Sequence, residues 1–403
     1  MDKLPRTLSS LIALAMTAFV AALPAQAADQ DKSEFDLDFR YRYEYVDQDG
    51  IAKDAHASTL RTRLAYRSAD FSKFGFQIEF DDIRPIGNDL YNSTRNGVTD
   101  RPVVADPKGT QVNQAMLLYK GIDDTVLRAG RQRITLDNHR FIGDVVWRQN
   151  DQTYDAFSLT NTSLANTTFD YAYIDKVNRI FGPDNGTPAA EIQSDSHILN
   201  AKFAWRPNLN VTAYAYFLDL EDAPPLSNKT FGVRVNGSHV INNRISTSYV
   251  LEYAYQNNHG DNPNNYGADY VLLEGAVTMG GITGKLGYEI LEGDTNQAFQ
   301  TPLATLHAFQ GWADKFLSTP DDGIEDLYFS IGTKVLGANV SLLYHRFSPE
   351  AGGPDYGSEW DLVIKKPFAK RYAMVFKYAN YDARSHSTDT QKAWLMLTAN
   401  FGN

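Results

Sequence analysis

Cysteine is absent from this chain of 403 residues, as are a long apolar run after residue 27 and a positive net charge. Without cysteine there is no disulfide framework and no thiolate metal site, which suits a protein that crosses an oxidising periplasm. After the first 27 residues, no apolar run reaches the roughly 18 residues that a membrane-spanning helix needs. The net charge of −11 argues against a nucleic-acid partner.

The first 27 residues have the pattern of a secretory signal peptide. Two basic residues precede a mostly apolar run from Leu8 to Leu23, and Ala25-Gln26-Ala27 is a small-x-small cleavage site. The apolar run is too short for a stable membrane anchor. We therefore expect residues 1–27 to be removed on export and residues 28–403 to form one domain.

The segment from Phe35 to Val46 shows which secondary structure follows. Its odd positions are apolar or aromatic, and its even positions from Asp36 to Glu44 are all charged. A helix would mix these two sets around its axis, whereas a strand places them on opposite faces. The segment is therefore predicted to be a strand with one apolar face and one ionic face.

Taken alone, this strand fits either a soluble β-sandwich or an outer-membrane barrel. In a sandwich the aromatic face packs into a core; in a barrel it meets lipid, and the ionic face lines a water-filled lumen. The alternation recurs in about 18 segments of about 8 to 13 residues, close to the length that spans a bilayer. Short turns such as 121–124 alternate with long segments such as 83–110. We predict an all-β, antiparallel up-and-down transmembrane barrel of about 18 strands, with short periplasmic turns and long external loops.

Charged residues at the inferred inward positions define a candidate solute path. Cations slightly outnumber acids there, and rings of Arg and Lys bias a pore toward anions. The alternative is that opposite charges pair across strands and only stiffen the wall, and both interpretations stay open. The predicted pore-lining residues are Arg40, Arg42, Arg61, Arg63, Arg128, Arg131, Arg234, Lys285, Glu289, Glu359, Asp361 and Lys377.

The segment from Thr301 to Tyr328 is too long and too apolar to extend freely into water. Leu303, Leu306 and Phe309 have the spacing of one face of a short helix. Burying that face would bring the segment into or over the barrel mouth, where it would either narrow the pore or cap the neighbouring loops. The candidate constriction residues are His307, Trp312, Asp314 and Lys315.

Motifs for catalysis and for metal or cofactor binding are not evident. The eight histidines are scattered, and none accompanies a G-x-S-x-G nucleophile motif or a Gly-rich phosphate loop. We therefore predict no enzyme activity, no cofactor and no metal site. Weak Ca²⁺ binding by acidic clusters such as 219–222 remains an alternative.

Several segments resemble the alginate export family of outer-membrane barrels. The run Thr301–His307, continued by Phe309–Phe316, resembles a loop characteristic of that family, and the segments 130–133, 144–157 and 356–361 match it further. The resemblance implies an 18-stranded barrel and an Arg-lined lumen for export of a polyanionic polysaccharide. The alginate exporter itself carries a long periplasmic plug where this chain has only the short turn 366–370. We therefore interpret the sequence as a porin-like member.

The predicted function is an outer-membrane channel of a Gram-negative bacterium for the diffusion of small hydrophilic solutes, anionic ones included. The alternatives are an export channel for an anionic polysaccharide such as alginate, a barrel hydrolase, and an adhesin or structural barrel. The expected partners are outer-membrane lipid and lipopolysaccharide, the solute, and the barrel assembly machinery, for which Phe401 is the candidate terminal signal.

Overall fold

A computed structural model describes residues 32–402, which form one closed antiparallel barrel of 18 strands. The expected signal peptide, 1–27, lies outside the described residues. In chain order the strands are β1 (Glu34–Gln48), β2 (Ala55–Arg67), β3 (Phe74–Pro85), β4 (Gly109–Ile122), β5 (Thr125–Gln132), β6 (Thr153–Asn161), β7 (Thr167–Asn178), β8 (Glu191–Arg206), β9 (Leu209–Leu218), β10 (Asn228–Asn242), β11 (Ile245–Asn258), β12 (Gly267–Met279), β13 (Ile282–Leu291), β14 (Ile324–Val335), β15 (Ala338–Ser348), β16 (Gly357–Phe368), β17 (Tyr372–Ala383) and β18 (Thr390–Asn400).

Each strand pairs with its neighbours in the chain, and the last strand returns to the first. β18 pairs with β1 from Asp38↔Asn400 to Gln48↔Thr390, while β1 pairs with β2 on its other side. The closed sheet leaves no free edge of unpaired backbone groups, as a sheet in hydrocarbon requires. The predicted up-and-down barrel is confirmed. Among residues 32–402, no helix has the length and apolarity needed to cross a membrane.

The two faces of the wall have opposite chemistry. On β11, Leu251 and Tyr253 point outward and remain 47% and 52% exposed, whereas Glu252 between them points inward and is buried. The same alternation places Arg40, Arg42 and Glu44 of β1 inside. The apolar residues are therefore exposed on the outside and the charges are enclosed, which is the distribution of a barrel surrounded by lipid.

The connections differ in length between the two rims. Two-residue turns such as 280–281 and 336–337 lie at one rim, and the long connections 86–108, 133–152 and 292–323 lie at the other. Gly280 and Gly281 have φ values of +59° and +88°, which a two-residue hairpin turn requires and glycine adopts without strain. By analogy with outer-membrane barrels, the rim of short turns is the periplasmic one.

Substituting Leu251 by Arg tests the orientation of the wall. Because Leu251 lies midway along β11 on the outer face, an arginine there is expected to lower the free energy of unfolding in lipid by about 2–4 kcal/mol. Ser248→Arg, on the inner face of the same strand, is the matched control and is expected to cost little. Denaturant unfolding in lipid vesicles measures both, and equal losses would contradict the assigned faces.

Candidate functional site

Two long connections leave the external rim and fold back into the barrel: the 133–152 loop and the 292–323 loop. Phe141 of the first loop contacts wall strands away from β5 and β6, with its ring centroid 5.3 Å from those of Tyr214 on β9 and Tyr270 on β12. Phe316 of the second loop packs 4.6 Å from Phe347 on β15. The barrel interior is therefore partly filled by its own loops.

The two inward loops also contact each other. The backbone N–H of Gly143 donates to Leu303 at 2.9 Å, and that of Thr305 donates to His139 at 3.0 Å. Leu303 is buried at this contact. The short helix expected around Leu306 is reduced to one 3₁₀ turn, Leu306–Ala308, because these backbone groups bond to the partner loop instead.

Both loops meet the wall at a cluster centred on Lys377 of β17. Its ammonium lies 3.6 Å from the ring centroid of Trp312 and 4.2 Å from that of Trp147, and donates to His307 Nε2 at 2.8 Å. Trp147 stacks on His307 with centroids 4.3 Å apart. Lys377 thus binds one residue of the 133–152 loop and two of the 292–323 loop, by cation–π contacts and a hydrogen bond.

The protonation state of His307 follows from its two partners. The ionised carboxylate of Asp314 only accepts, so Nδ1 of His307 carries the proton that it donates to Asp314 at 2.6 Å, and Nε2 of the neutral ring accepts from Lys377. Burial, aided by Lys377, lowers the pKa of His307 to about 3, so the ring is neutral at physiological pH. Asp314 also bonds to Lys392 of β18 at 2.7 Å and to Arg148 at 3.2 Å.

A second ionic cluster holds the end of the 133–152 loop against β2 and β3. Asp151 accepts from Arg63 at 2.8 Å and from Arg133 at 2.7 Å, and Arg63 also binds Asp81 through two hydrogen bonds of 2.6 Å. Arg61 lies 3.7 Å from Asp151 and binds Asp38 at 2.7 Å.

The carboxylates Glu79, Asp81 and Asp151 approach one another within 4.8 Å, a spacing at which a metal ion could be held. Arg63 and Arg133 already bond to members of the trio. Because the guanidinium groups neutralise the carboxylates, we read the trio as an ion-pair network, not as a metal centre.

Four more of the predicted pore-lining residues bind the inward loops. Arg40 donates to Gln149 at 2.9 Å, and Arg42 donates to the carbonyl of Trp147. Glu289 accepts from Arg140 and from Gln310, one residue from each loop. Glu359 accepts the backbone N–H groups of two residues of the 292–323 loop, Trp312 and Ala313.

The remaining inward residues contact the wall or water. Arg234 pairs with Glu252, and Lys285 pairs with Glu274 at 2.7 Å. Asp361 is fully buried on β16 beside Glu359. Arg128 donates to Thr160 at 3.1 Å and, among the residues described, has no carboxylate within ion-pair distance. Lys315 is partly buried, and burial lowers its pKa to about 8.

Arg131 departs from the predicted set, because it lies on the outer face. Its guanidinium binds Asp155 of β6 at 2.7 and 3.0 Å, and its strand partner is Ala115 in the outward row of β4. Residues an odd number apart on one strand point to opposite faces, so Arg128 inward requires Arg131 outward. The prediction of a pore-lining Arg131 is corrected accordingly.

Sequence reasoning missed the residues that the 133–152 loop itself contributes: Trp147, Arg140, Arg148 and Asp151. They lie outside any strand, so the alternation that identified inward positions gives no signal for them. The available signal was composition, since a loop holding Phe141, Ile142 and Trp147 is too apolar to stay in water.

A family model described as alginate export matches residues 31–290, which is more than half of the chain. The chain belongs to the alginate export family. The match includes the 133–152 loop and its anchoring residues on β1 to β3. No curated protein gave a significant match to this family member.

Solved structures share the fold of this family member at low sequence identity. Acinetobacter baumannii OccAB2 is 18% identical with a TM-score of 0.75, covering 93% of this chain and 99% of that one. Pseudomonas aeruginosa OccK9 is 14% identical with a TM-score of 0.75, covering 93% and 100%. Pseudomonas aeruginosa OpdK, solved with vanillate, is 13% identical with a TM-score of 0.71, covering 93% and 100%.

Replacing Glu359 by Ala tests whether this carboxylate holds the 292–323 loop. The variant leaves the N–H groups of Trp312 and Ala313 without their acceptor, at a cost of about 1–3 kcal/mol. Faster hydrogen exchange in the loop and a larger or noisier single-channel current are expected. Glu274→Ala, which removes an inward carboxylate bonded only to wall residues, is the control. Unchanged exchange in the Glu359 variant would contradict the anchoring role.

Asp144 of the 133–152 loop predicts a pH dependence. Burial and the charge of Asp151 raise the pKa of this carboxyl from 3.8 to about 6, so the folded loop favours the neutral form. Its contribution to stability is complete below about pH 4 and is lost as the pH rises through about 6. The protection factors of the loop amides, corrected for the intrinsic pH dependence of exchange, should therefore fall between pH 4 and pH 7.

Asp144→Asn keeps the neutral shape and is expected to flatten this pH dependence. Asp137→Asn, at an exposed position of the same loop, is the control and should leave it in place. An Asp144→Asn profile that superimposes on the wild-type profile would rule out this carboxyl as the titrating group.

Proposed function

We propose that this protein is a diffusion channel of the outer membrane for small hydrophilic solutes, anionic ones included. The observation that carries the proposal is a closed wall with an apolar exterior and an ionic interior, whose cross-section is reduced by two ion-paired loops. An adhesin or a structural barrel would share the polar interior, and bilayer conductance separates these alternatives from a channel.

The inward loops favour small solutes. They meet the wall on β1–β3, on β9 and β12–β13, and on β15–β18, so they reduce the open section from several sides. Arg128 on β5 and Asp170 on β7 are only partly buried, and Lys202 on β8 is exposed. These residues line the part of the lumen that remains in contact with water. The fold is shared with OpdK, which was solved with vanillate, a small carboxylate.

Export of an anionic polysaccharide is the second candidate, and the description of the family favours it. The geometry favours it less, because most of the inward cations already have a carboxylate or backbone partner and would not be free to bind a polyanion.

No serine is hydrogen-bonded to a histidine within residues 32–402, so the hydrolase alternative gains no support.

Liposome swelling with sugars, small carboxylates and uronate oligomers distinguishes these candidates. Swelling with the first two groups but not with the oligomers is the expected result. Passage of the oligomers would favour polysaccharide export, and the absence of both swelling and bilayer conductance would overturn the channel.

Beyond conduction, we propose that residues 1–27 are cleaved on export, which the N-terminal sequence of the mature protein tests, and that Phe401 guides barrel assembly.

Arg128→Ala tests the solute path. Because Arg128 faces the lumen without a carboxylate within ion-pair distance among the described residues, its removal is expected to lower the chloride-to-potassium permeability ratio. Arg131→Ala, three residues away on the outer face, is the matched control and should leave the ratio unchanged. Reversal potentials in planar bilayers measure both. A shift in the control alone, or in neither variant, would exclude Arg128 from the path.

A further inference from the structure

The outer face of the barrel carries a groove that crosses the seam between β18 and β1 at the end nearest the short turns. Phe39, Tyr41, Phe368, Tyr372 and Leu397 form its walls, and small residues such as Ala399 form its floor. Its volume of 330 Å³ is that of about ten water molecules. The lining is almost entirely apolar, so water is a poor occupant.

Three cations surround the end of this groove at the turn between β16 and β17. Lys366 Nζ lies 5.5 Å from the ring centroid of Phe368, and Arg371 Cζ lies 5.5 Å from that of Phe401. Lys370 is exposed in the turn between them. Within residues 32–402, none of the three has a carboxylate within ion-pair distance, whereas most inward cations do.

Aromatic residues hold Lys366 and Arg371 at the boundary between groove and water. The ring of Phe401 lies 6.3 Å from that of Tyr372 and 6.2 Å from that of Phe39, both of which line the groove. Arg371 therefore lies over one end of a continuous aromatic surface. An apolar cleft with unpaired cations at its polar end matches an acyl chain joined to an anionic headgroup.

We propose that this groove, defined by Phe39, Tyr41, Phe368, Tyr372, Leu397 and Ala399 with Lys366, Lys370 and Arg371, binds one anionic phospholipid of the inner leaflet. The acyl chain lies along the seam between β1 and β18, and the phosphate is bound by the cations of the turn. The inference rests on the proposed function in one respect, because it needs the rim of short turns to face the periplasm. The bound lipid would cover the seam at which the barrel closes.

Selective binding differs from the ordinary lipid contact of any barrel in its dependence on charge. Three cations beside the phosphate are expected to favour phosphatidylglycerol over phosphatidylethanolamine by roughly a hundredfold. General contact with the outer face would show no such preference and would not depend on these side chains.

Native mass spectrometry of the intact mature barrel, equilibrated with the two lipids in mild detergent, measures this preference. The wild type is expected to retain one phosphatidylglycerol per barrel. The combined variant Lys366→Gln, Lys370→Gln, Arg371→Gln should bind both lipids equally, and Ala399→Phe, which fills the groove, should retain neither. Arg206→Gln with Arg244→Gln, which neutralises cations at other short turns, is the control and should keep the wild-type preference.

Each outcome decides the proposal. Equal retention of the two lipids by the wild type, or an unchanged preference in the triple variant, would overturn it. Heat-modifiable migration in detergent gels checks independently that each variant folds. The three substituted cations lie at the rim of the wall. Bilayer conductance of the same variants is expected to match the wild type, so a failure here is separable from a failure of the channel.

Discussion

Alternation within a closed sheet is the constraint on which the rest of this structure depends. Once β18 pairs with β1, every second side chain must face either the surrounding lipid or the enclosed lumen. The apolar rows face outward, so the charged rows converge in a confined space. Charges brought together there are stable only if they are paired or hydrated.

The two inward loops supply much of that pairing. Asp151 lies between Arg63 and Arg133, Glu289 binds both loops, and Lys377 is enclosed by Trp147, Trp312 and His307. The wall charges therefore act first as anchors of a constriction. The inward residues that the loops leave uncovered, Arg128 foremost, are the ones that our proposal assigns to the solute path.

The sequence predicts the barrel well because its signal is local and repeated. The alternation from Phe35 to Val46 recurs around the wall, and the lengths of the turns assign the two rims. The candidate site is predicted in part. The alternation of side chains between the two faces of a strand is enough to place Arg40, Arg61, Glu289 and Glu359 inside. Applied strictly, the same rule would have placed Arg131 outside.

The contacts of the loops could not be predicted in this way. Trp147 and Asp151 follow no strand period, and their partners can lie more than two hundred residues away in the chain, as with Trp147 and Lys377. Likewise, nothing local shows that Phe39 and Tyr372 share one groove, because they meet only across the closed seam.

The amino-acid sequence by itself determined the strands, their two faces and the alternation of short and long connections, because these depend on neighbours a few residues apart. The tertiary structure alone decided which charged side chains bond to the 133–152 and 292–323 loops and which have no partner in either loop. That choice depends on distances between side chains from distant strands, and such distances exist only once the barrel has closed.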